Sequence, residues 1–136
     1  MFLGRRLTTR EANRAKAEGW VAVLDLAAEL LESRPLRELA DYRSLPVLDA
    51  TAMSLVQLRE AVEWVKQRAA IGPLYVHCAL GRGRSALVVA AYLLALGSAP
   101  DAKAALKHLR ALRSSVRLNR AQRRALDRFA EALTAC

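Results

Sequence analysis

Residues 77–85 of the chain read HCALGRGRS and lie between two apolar segments. The segment that leads into them, LYVH at 74–77, predicts a short buried strand that runs directly into Cys78. The segment that follows, Ser85 to Leu96, is apolar on nearly all sides, which is typical of a helix buried in a core, and Gly97 ends it. The sequence therefore predicts a strand, a glycine-containing loop and a buried helix in direct succession.

The predicted loop has the composition of a phosphate-binding site. Gly81 and Gly83 permit backbone angles and close approaches that side chains would block. Backbone N–H groups of such a loop, together with those at the start of the next helix, form a cradle in which a dianionic phosphate binds well. Arg84 adds a planar guanidinium that can hold two phosphate oxygens, which a lysine could not do. The same cradle stabilises the thiolate of Cys78, so the sequence predicts a charged nucleophile beside a bound phosphate.

Strand signals and helix signals alternate along the whole chain. This alternation predicts an α/β fold with a central, mostly parallel sheet of about four to five strands, flanked by helices. Pro46 suits the end of a strand better than its centre, because it has no backbone donor. The predicted strands cover residues 2–4, 20–26, 42–48 and 74–77, and the predicted helices cover 9–18, 54–70 and 85–96 and open at Ser98 with Asp101 and at Asn119 with Gln122.

The length of 136 residues fits one domain, and no repeat, linker or low-complexity stretch divides the chain. We therefore expect a single catalytic domain over residues 1–136. Because the chain begins within an edge strand at Phe2, that domain could have been cut from a longer protein. The longest apolar run, 86–97, is shorter than the roughly 18 residues that cross a bilayer. We expect a cytoplasmic location, and membrane association through a missing partner domain stays open.

The net charge of +9 comes from 22 Lys and Arg against 13 Asp and Glu, and only four of the 22 are Lys. One interpretation is a compositional bias toward Arg that leaves a solvated basic face. The other is an anionic partner, such as a membrane surface or a phosphoprotein, that a positive field attracts. Arginines crowd the stretch 110–128, which makes it the candidate contact face. Nucleic acid is disfavoured because aromatic residues are only 5% of the chain.

The remaining polar residues predict no further site. The chain has two cysteines, too few for a disulfide scaffold, and Cys136 at the terminus is expected to be inert, with a redox partnership to Cys78 as the alternative. His108 stands alone and is expected on a helix surface. No cluster of His, Cys, Asp and Glu has metal-ligand spacing, so the sequence predicts neither a metal nor another cofactor.

The stretch 77–85 resembles the active-site signature of the protein tyrosine and dual-specificity phosphatase superfamily, which has His-Cys, five residues, Arg and then Ser or Thr. The similarity to the small dual-specificity type extends from Leu3 to Leu133. The resemblance implies that Cys78 is the nucleophile of a phosphocysteine intermediate and that Arg84 clamps the phosphate and the transition state. It also implies that Ser85 helps the thiolate to leave and that His77 orients the loop. The implied phosphate-binding backbone is that of Ala79, Leu80, Gly81, Arg82 and Gly83.

The same family carries a general acid on a loop upstream of the cysteine, and the stretch PVLDAT at 46–51 stands at that place. The resemblance therefore implies that Asp49 protonates the leaving oxygen and later activates water. Asp25 and Asp41 are the alternatives, each of which could instead be a turn or cap carboxylate. An acid upstream of Cys78 argues against the low-molecular-weight phosphatases and arsenate reductases, whose acid lies downstream, and against a rhodanese-like sulfurtransferase.

The resemblance implies a dual-specificity phosphatase for phosphotyrosine, phosphoserine and phosphothreonine, because the short elements between Leu26 and Asp49 leave little wall around the site. The first alternative is a phosphatase of phosphorylated lipids, because Arg82 makes the loop similar to those of phosphoinositide and phosphatidylglycerophosphate phosphatases. Ala79 departs from that pattern, which has Lys there. The second alternative is a catalytically silent phosphate-binding module. A phosphorylated protein or a phospholipid is thus the expected partner, and the oligomeric state stays open.

Overall fold

A computed structural model describes residues 2–5, 7–19, 22–27, 41–47, 53–78 and 83–134. Strands and helices alternate along these ranges, as the sequence predicts. The strands are β1 (Phe2–Gly4), β2 (Ala22–Ala27), β3 (Asp41–Val47) and β4 (Leu74–His77), and the helices are α1 (Thr9–Ala17), α2 (Leu55–Ala69), α3 (Arg84–Ala95), α4 (Ala102–Leu112) and α5 (Arg120–Thr134).

The four strands form one sheet in the order β1-β4-β2-β3, and every neighbouring pair is parallel. The predicted α/β fold with a parallel sheet is therefore confirmed, and the described part of the chain supplies four strands. The carboxyl ends of parallel strands share one edge of the sheet, where binding sites of α/β folds lie. Pro46 lies near the end of β3, the outer strand of this sheet, where its missing donor is tolerated.

The sheet separates a large core from a small one. Because side chains alternate along a strand, Leu74 and Val76 of β4 face the large core, which α2, α3, α4 and α5 complete. On the opposite face, Tyr75 packs with Val23 and with Ala12 of α1. The predicted burial of the helix after the loop is confirmed, since every residue of α3 up to Ala91 is buried. This helix therefore has a fixed position relative to the sheet.

Local capping signals place the helix ends. Reciprocal bonds between Thr8 and Glu11, and between Ser54 and Gln57, form capping boxes at the starts of the helices predicted over 9–18 and 54–70. The helix expected to open at Ser98 begins later, at Ala102, because Asp101 is its N-cap and accepts from the Ala104 backbone N–H at 2.8 Å.

Ser98 instead closes α3, since its backbone N–H donates to Leu93 after Gly97 has turned the chain at φ 73°. The exposed position of His108 on α4 agrees with the sequence. Among the described residues, no helix is long and apolar enough to span a membrane.

Candidate active site

Cys78 directly follows β4, and its side chain contacts the first turn of α3. Its backbone N–H donates to the Gly4 carbonyl of the neighbouring strand at 3.3 Å, which fixes the main chain at the end of the sheet. Its Sγ lies 3.4 Å from Ser85 Oγ, and both side chains are buried. The serine hydroxyl can therefore donate to the sulfur whenever the sulfur is an anion.

The N-terminus of α3 adds positive charge at this point. Its first N–H groups have no partner within the helix and carry the positive end of the helix dipole. Arg84, the first residue of the helix, is only 4% exposed, which is unusual for an arginine. A helix N-terminus therefore lies beside the sulfur that touches Ser85, and a buried arginine begins the same helix, an arrangement that suits an anion next to a thiol.

Gly83 packs against a residue of α5 for which the sequence predicted only a role in opening that helix. Gln122 of α5 exchanges bonds with Asn119, which confirms the helix start predicted at this pair. The same carboxamide is 4% exposed and lies so close to Gly83 that an added Cβ would be 2.7 Å from its Oε1. Packing against the Gln122 carboxamide therefore leaves no room for a side chain at Gly83.

A group of buried polar side chains surrounds His77, the residue that precedes Cys78. The Nδ1 of His77 is 3.4 Å from the Cys78 carbonyl oxygen, and its Nε2 is 3.8 Å from Asp25 Oδ1. The other oxygen of that carboxylate accepts from the Tyr42 hydroxyl at 2.7 Å. The carboxylate of Asp25, an alternative acid candidate in the sequence, is therefore buried and engaged by Tyr42 and His77, and Tyr42 is a contact that sequence reasoning missed.

The ring of Tyr75 covers His77 at a centroid distance of 5.6 Å. Burial raises the pKa of Tyr75 to about 12, and the nearby positive charge of Arg113 opposes that shift. The phenol accordingly stays neutral and donates to the Arg5 carbonyl at 2.6 Å. The basic end of α4 therefore lies near the Tyr75 ring that stacks on His77.

The other site residues predicted from the sequence lie outside the described residues. They are the loop residues 79–82, which include Arg82, and Asp49 of the predicted acid loop. Asp41 is the first residue of β3, and its side chain is not among those described. Within the described ranges, no three His, Cys, Asp or Glu side chains could hold a metal ion together.

Comparison with known proteins adds a family and a fold. Residues 2–132 match the family model of the dual specificity phosphatase catalytic domain. The chain is 40% identical over 79 residues to the phosphatidylglycerophosphate phosphatase PTPMT2 of Arabidopsis thaliana, a match that covers 57% of this chain and 34% of that protein. The matched stretch thus spans about a third of the length of that curated relative.

Two solved structures illustrate the fold. The crystal structure of Tk-PTP in the active form is 28% identical, with a TM-score of 0.85 and coverage of 95% of this chain and 90% of that one. The structure of PTPMT1 in complex with PI(5)P is 22% identical, with a TM-score of 0.85 and coverage of 98% and 93%. Because the identity to PTPMT1 is lower, that similarity shows the fold alone.

The contact between Gly83 and Gln122 yields a paired prediction. Gly83→Ala forces a methyl group against the Gln122 carboxamide, and overpacking of this kind typically destabilises by about 1–3 kcal/mol. We expect Gly83→Ala to lower both the free energy of unfolding and kcat/KM, and the double variant with Gln122→Ala to recover much of both losses. Urea denaturation and steady-state kinetics measure the cycle. Strictly additive losses would show that the two residues do not act on each other.

Proposed function

Since the chain belongs to the dual specificity phosphatase catalytic domain family, within the cysteine-dependent phosphatases, we propose that Cys78 attacks a phosphate monoester and becomes a phosphocysteine. The observation that carries this proposal is the position of Cys78 Sγ, 3.4 Å from Ser85 Oγ in the first turn of the buried helix α3. The helix N-terminus and the serine hydroxyl both stabilise negative charge on that sulfur. The species that attacks phosphorus in this proposal is the Cys78 thiolate.

In the first step, the Cys78 thiolate forms a sulfur–phosphorus bond while the bond from phosphorus to the ester oxygen breaks. Arg84 holds two of the equatorial oxygens, and its planar fork matches the transferring phosphoryl group better than it matches the ground state. The departing oxygen receives a proton from Asp49, the carboxylate that the family resemblance assigns to this task. The alcohol leaves and the phosphoryl group stays on sulfur.

In the second step, water attacks the phosphorus and the sulfur–phosphorus bond breaks. Asp49, now a carboxylate, accepts a proton from that water, and inorganic phosphate is the product. The sulfur departs as a thiolate, and Ser85 donates a hydrogen bond to it as its charge develops. The 3.4 Å contact of Ser85 with Cys78 supports a role in this step more than in the first.

For the natural substrate we propose phosphorylated side chains of proteins, tyrosine as well as serine and threonine. The family assignment over residues 2–132 supports this choice. A second candidate is a phosphorylated lipid. It is favoured by the 40% identity to PTPMT2, a phosphatidylglycerophosphate phosphatase, and by the fold shared with PTPMT1, which was crystallised with PI(5)P.

The surface near the end of α4 would suit a lipid substrate. A cleft of about 470 Å³ is lined by Arg110, Ser114, Ser115, Val116 and Arg117. Further arginines of α5 are exposed beside the start of that helix, among them Arg120 and Arg124. An anionic membrane surface would be attracted to this face, and binding would weaken as salt is added.

A substrate panel separates the two candidates. We expect the purified domain to hydrolyse phosphotyrosine and phosphothreonine peptides at comparable kcat/KM, with both activities absent in Cys78→Ser. Phosphatidylglycerophosphate and phosphoinositides in vesicles serve as the second arm, and phosphate release is measured in both. A kcat/KM for either lipid far above that for every peptide would replace the protein substrate with the lipid one. No release from any substrate would contradict a catalytic role altogether.

Asp49 has a test that depends on the leaving group. Asp49→Asn removes the proton donor, and an alkyl ester needs that proton far more than a nitrophenyl ester, whose leaving group is already a stable anion. We therefore expect Asp49→Asn to lower kcat on phosphoserine-type substrates by a factor on the order of 10²–10⁴ and to spare nitrophenyl phosphate by comparison. Asp41→Asn is the matched control and should leave that ratio unchanged. Equal losses on both esters, or a larger effect from Asp41→Asn, would assign the acid elsewhere.

A further inference from the structure

Three polar side chains meet on the α1 side of the sheet, directly behind Cys78. Asp25 of β2 and His77 of β4 are partners in the parallel register, so their side chains lie side by side on one face. Tyr42 of β3 reaches the same carboxylate and donates to its Oδ2 at 2.7 Å. Asp25 is 3% exposed and His77 is 1% exposed. One buried polar cluster therefore joins three strands of the sheet beneath the nucleophile.

The position of Asp25 is not explained by stability. It stands between Leu24 and Leu26, both fully buried, in a strand whose other described side chains are apolar. A buried carboxylate loses its hydration, and well-packed apolar residues in place of buried ionic groups are often as stable or more stable. A carboxylate at this position therefore points to a local task, and the side chain that it faces on β4 is His77.

The contacts of His77 show what that task can be. Its Nε2 faces Asp25 Oδ1 at 3.8 Å, and its Nδ1 faces the carbonyl oxygen of Cys78 at 3.4 Å. The first distance is that of an electrostatic contact rather than a hydrogen bond. Tyr75 stacks on the ring with an interplanar angle of 20°, which restricts its rotation. The ring is thus oriented by Asp25 at one end and contacts the main chain of Cys78 at the other.

We infer that Asp25 is a positioning residue that, supported by Tyr42, sets the orientation of His77 and through it the main chain at Cys78. This inference rests on the proposed function, because its effect is read out on the Cys78 nucleophile. Without Asp25 the ring turns, the end of β4 loosens, and Sγ loses its fixed distance to Ser85. Attack on phosphorus then slows, while Arg84 still binds the phosphate. The loss therefore falls on kcat rather than on KM.

Four variants test the inference on nitrophenyl phosphate. Asp25→Leu removes the carboxylate, Asp25→Asn keeps an acceptor for Tyr42, and Tyr42→Phe removes only the supporting hydroxyl. Val65→Ala is the matched control, because it trims a fully buried side chain of the large core on α2, a helix that supplies no residue to the polar cluster. Circular dichroism confirms the folded fraction of each variant, and the rate of Cys78 alkylation by iodoacetate gives a second readout without substrate.

We expect Asp25→Leu to lower kcat by up to about 100-fold, the cost of a nucleophile displaced by roughly 1 Å, with little change in KM. Asp25→Asn and Tyr42→Phe should lose less, Val65→Ala should keep its kcat, and alkylation should slow in the same order. If Asp25→Leu fails to fold, the comparison of Asp25→Asn and Tyr42→Phe with Val65→Ala tests the inference instead. An active wild type with Asp25 variants equal to Val65→Ala would overturn the inference alone. A wild type without turnover would instead overturn the proposed function.

Discussion

The contact between the sulfur of Cys78 and the first turn of α3 is the constraint on which the rest of the site depends. The proposed mechanism requires a negatively charged sulfur, which is costly away from water unless dipoles already point at it. Here Ser85 touches the sulfur at 3.4 Å, and the helix that carries Ser85 is buried through Ala91. Because α3 packs against α2, α4 and α5, the helix N-terminus cannot turn away from the sulfur without disturbing the core. The electrostatics of the site are therefore fixed before a substrate binds.

The parallel sheet supplies the other half of that constraint. β4 delivers Cys78 at the carboxyl edge of the sheet, and the bond from its N–H to Gly4 holds it there. The two faces of β4 then have separate tasks, since Val76 joins the large core while His77 meets the polar cluster of Asp25 and Tyr42. The fold thus sets the chemistry of the site, whereas substrate choice belongs to the surface around it.

Much of the fold was predictable because its signals are local. Capping boxes such as Ser54 with Gln57 need only a spacing of three residues, and a buried helix such as α3 is visible in its own composition. Ser98 was misplaced because Asp101, three residues later, competes successfully for the cap. In the site, the signature at 77–85 pointed to Cys78 and Ser85, whose side chains the structure brings into contact, and to Arg84, which is buried in the first turn of α3.

The contacts that sequence reasoning missed are distant along the chain. Tyr42 reaches Asp25 across 17 residues, and Gln122 reaches Gly83 from a helix two elements later. A single sequence displays no periodic pattern that would link residues so far apart. The available signals were weak ones, a lone carboxylate within an apolar strand and a capping glutamine that also turned out to be buried. Such residues reveal their second task only once tertiary packing is known.

The central claim is that the phosphoryl group passes through the sulfur of Cys78. The most direct test is mass spectrometry of the domain quenched within its first turnover, using Ser85→Ala so that departure of the thiolate is slowed. The account predicts one phosphoryl group for each chain, located on the peptide that contains Cys78, and none in Cys78→Ser. A phosphoryl group on another residue, or full turnover by Cys78→Ser, would contradict it.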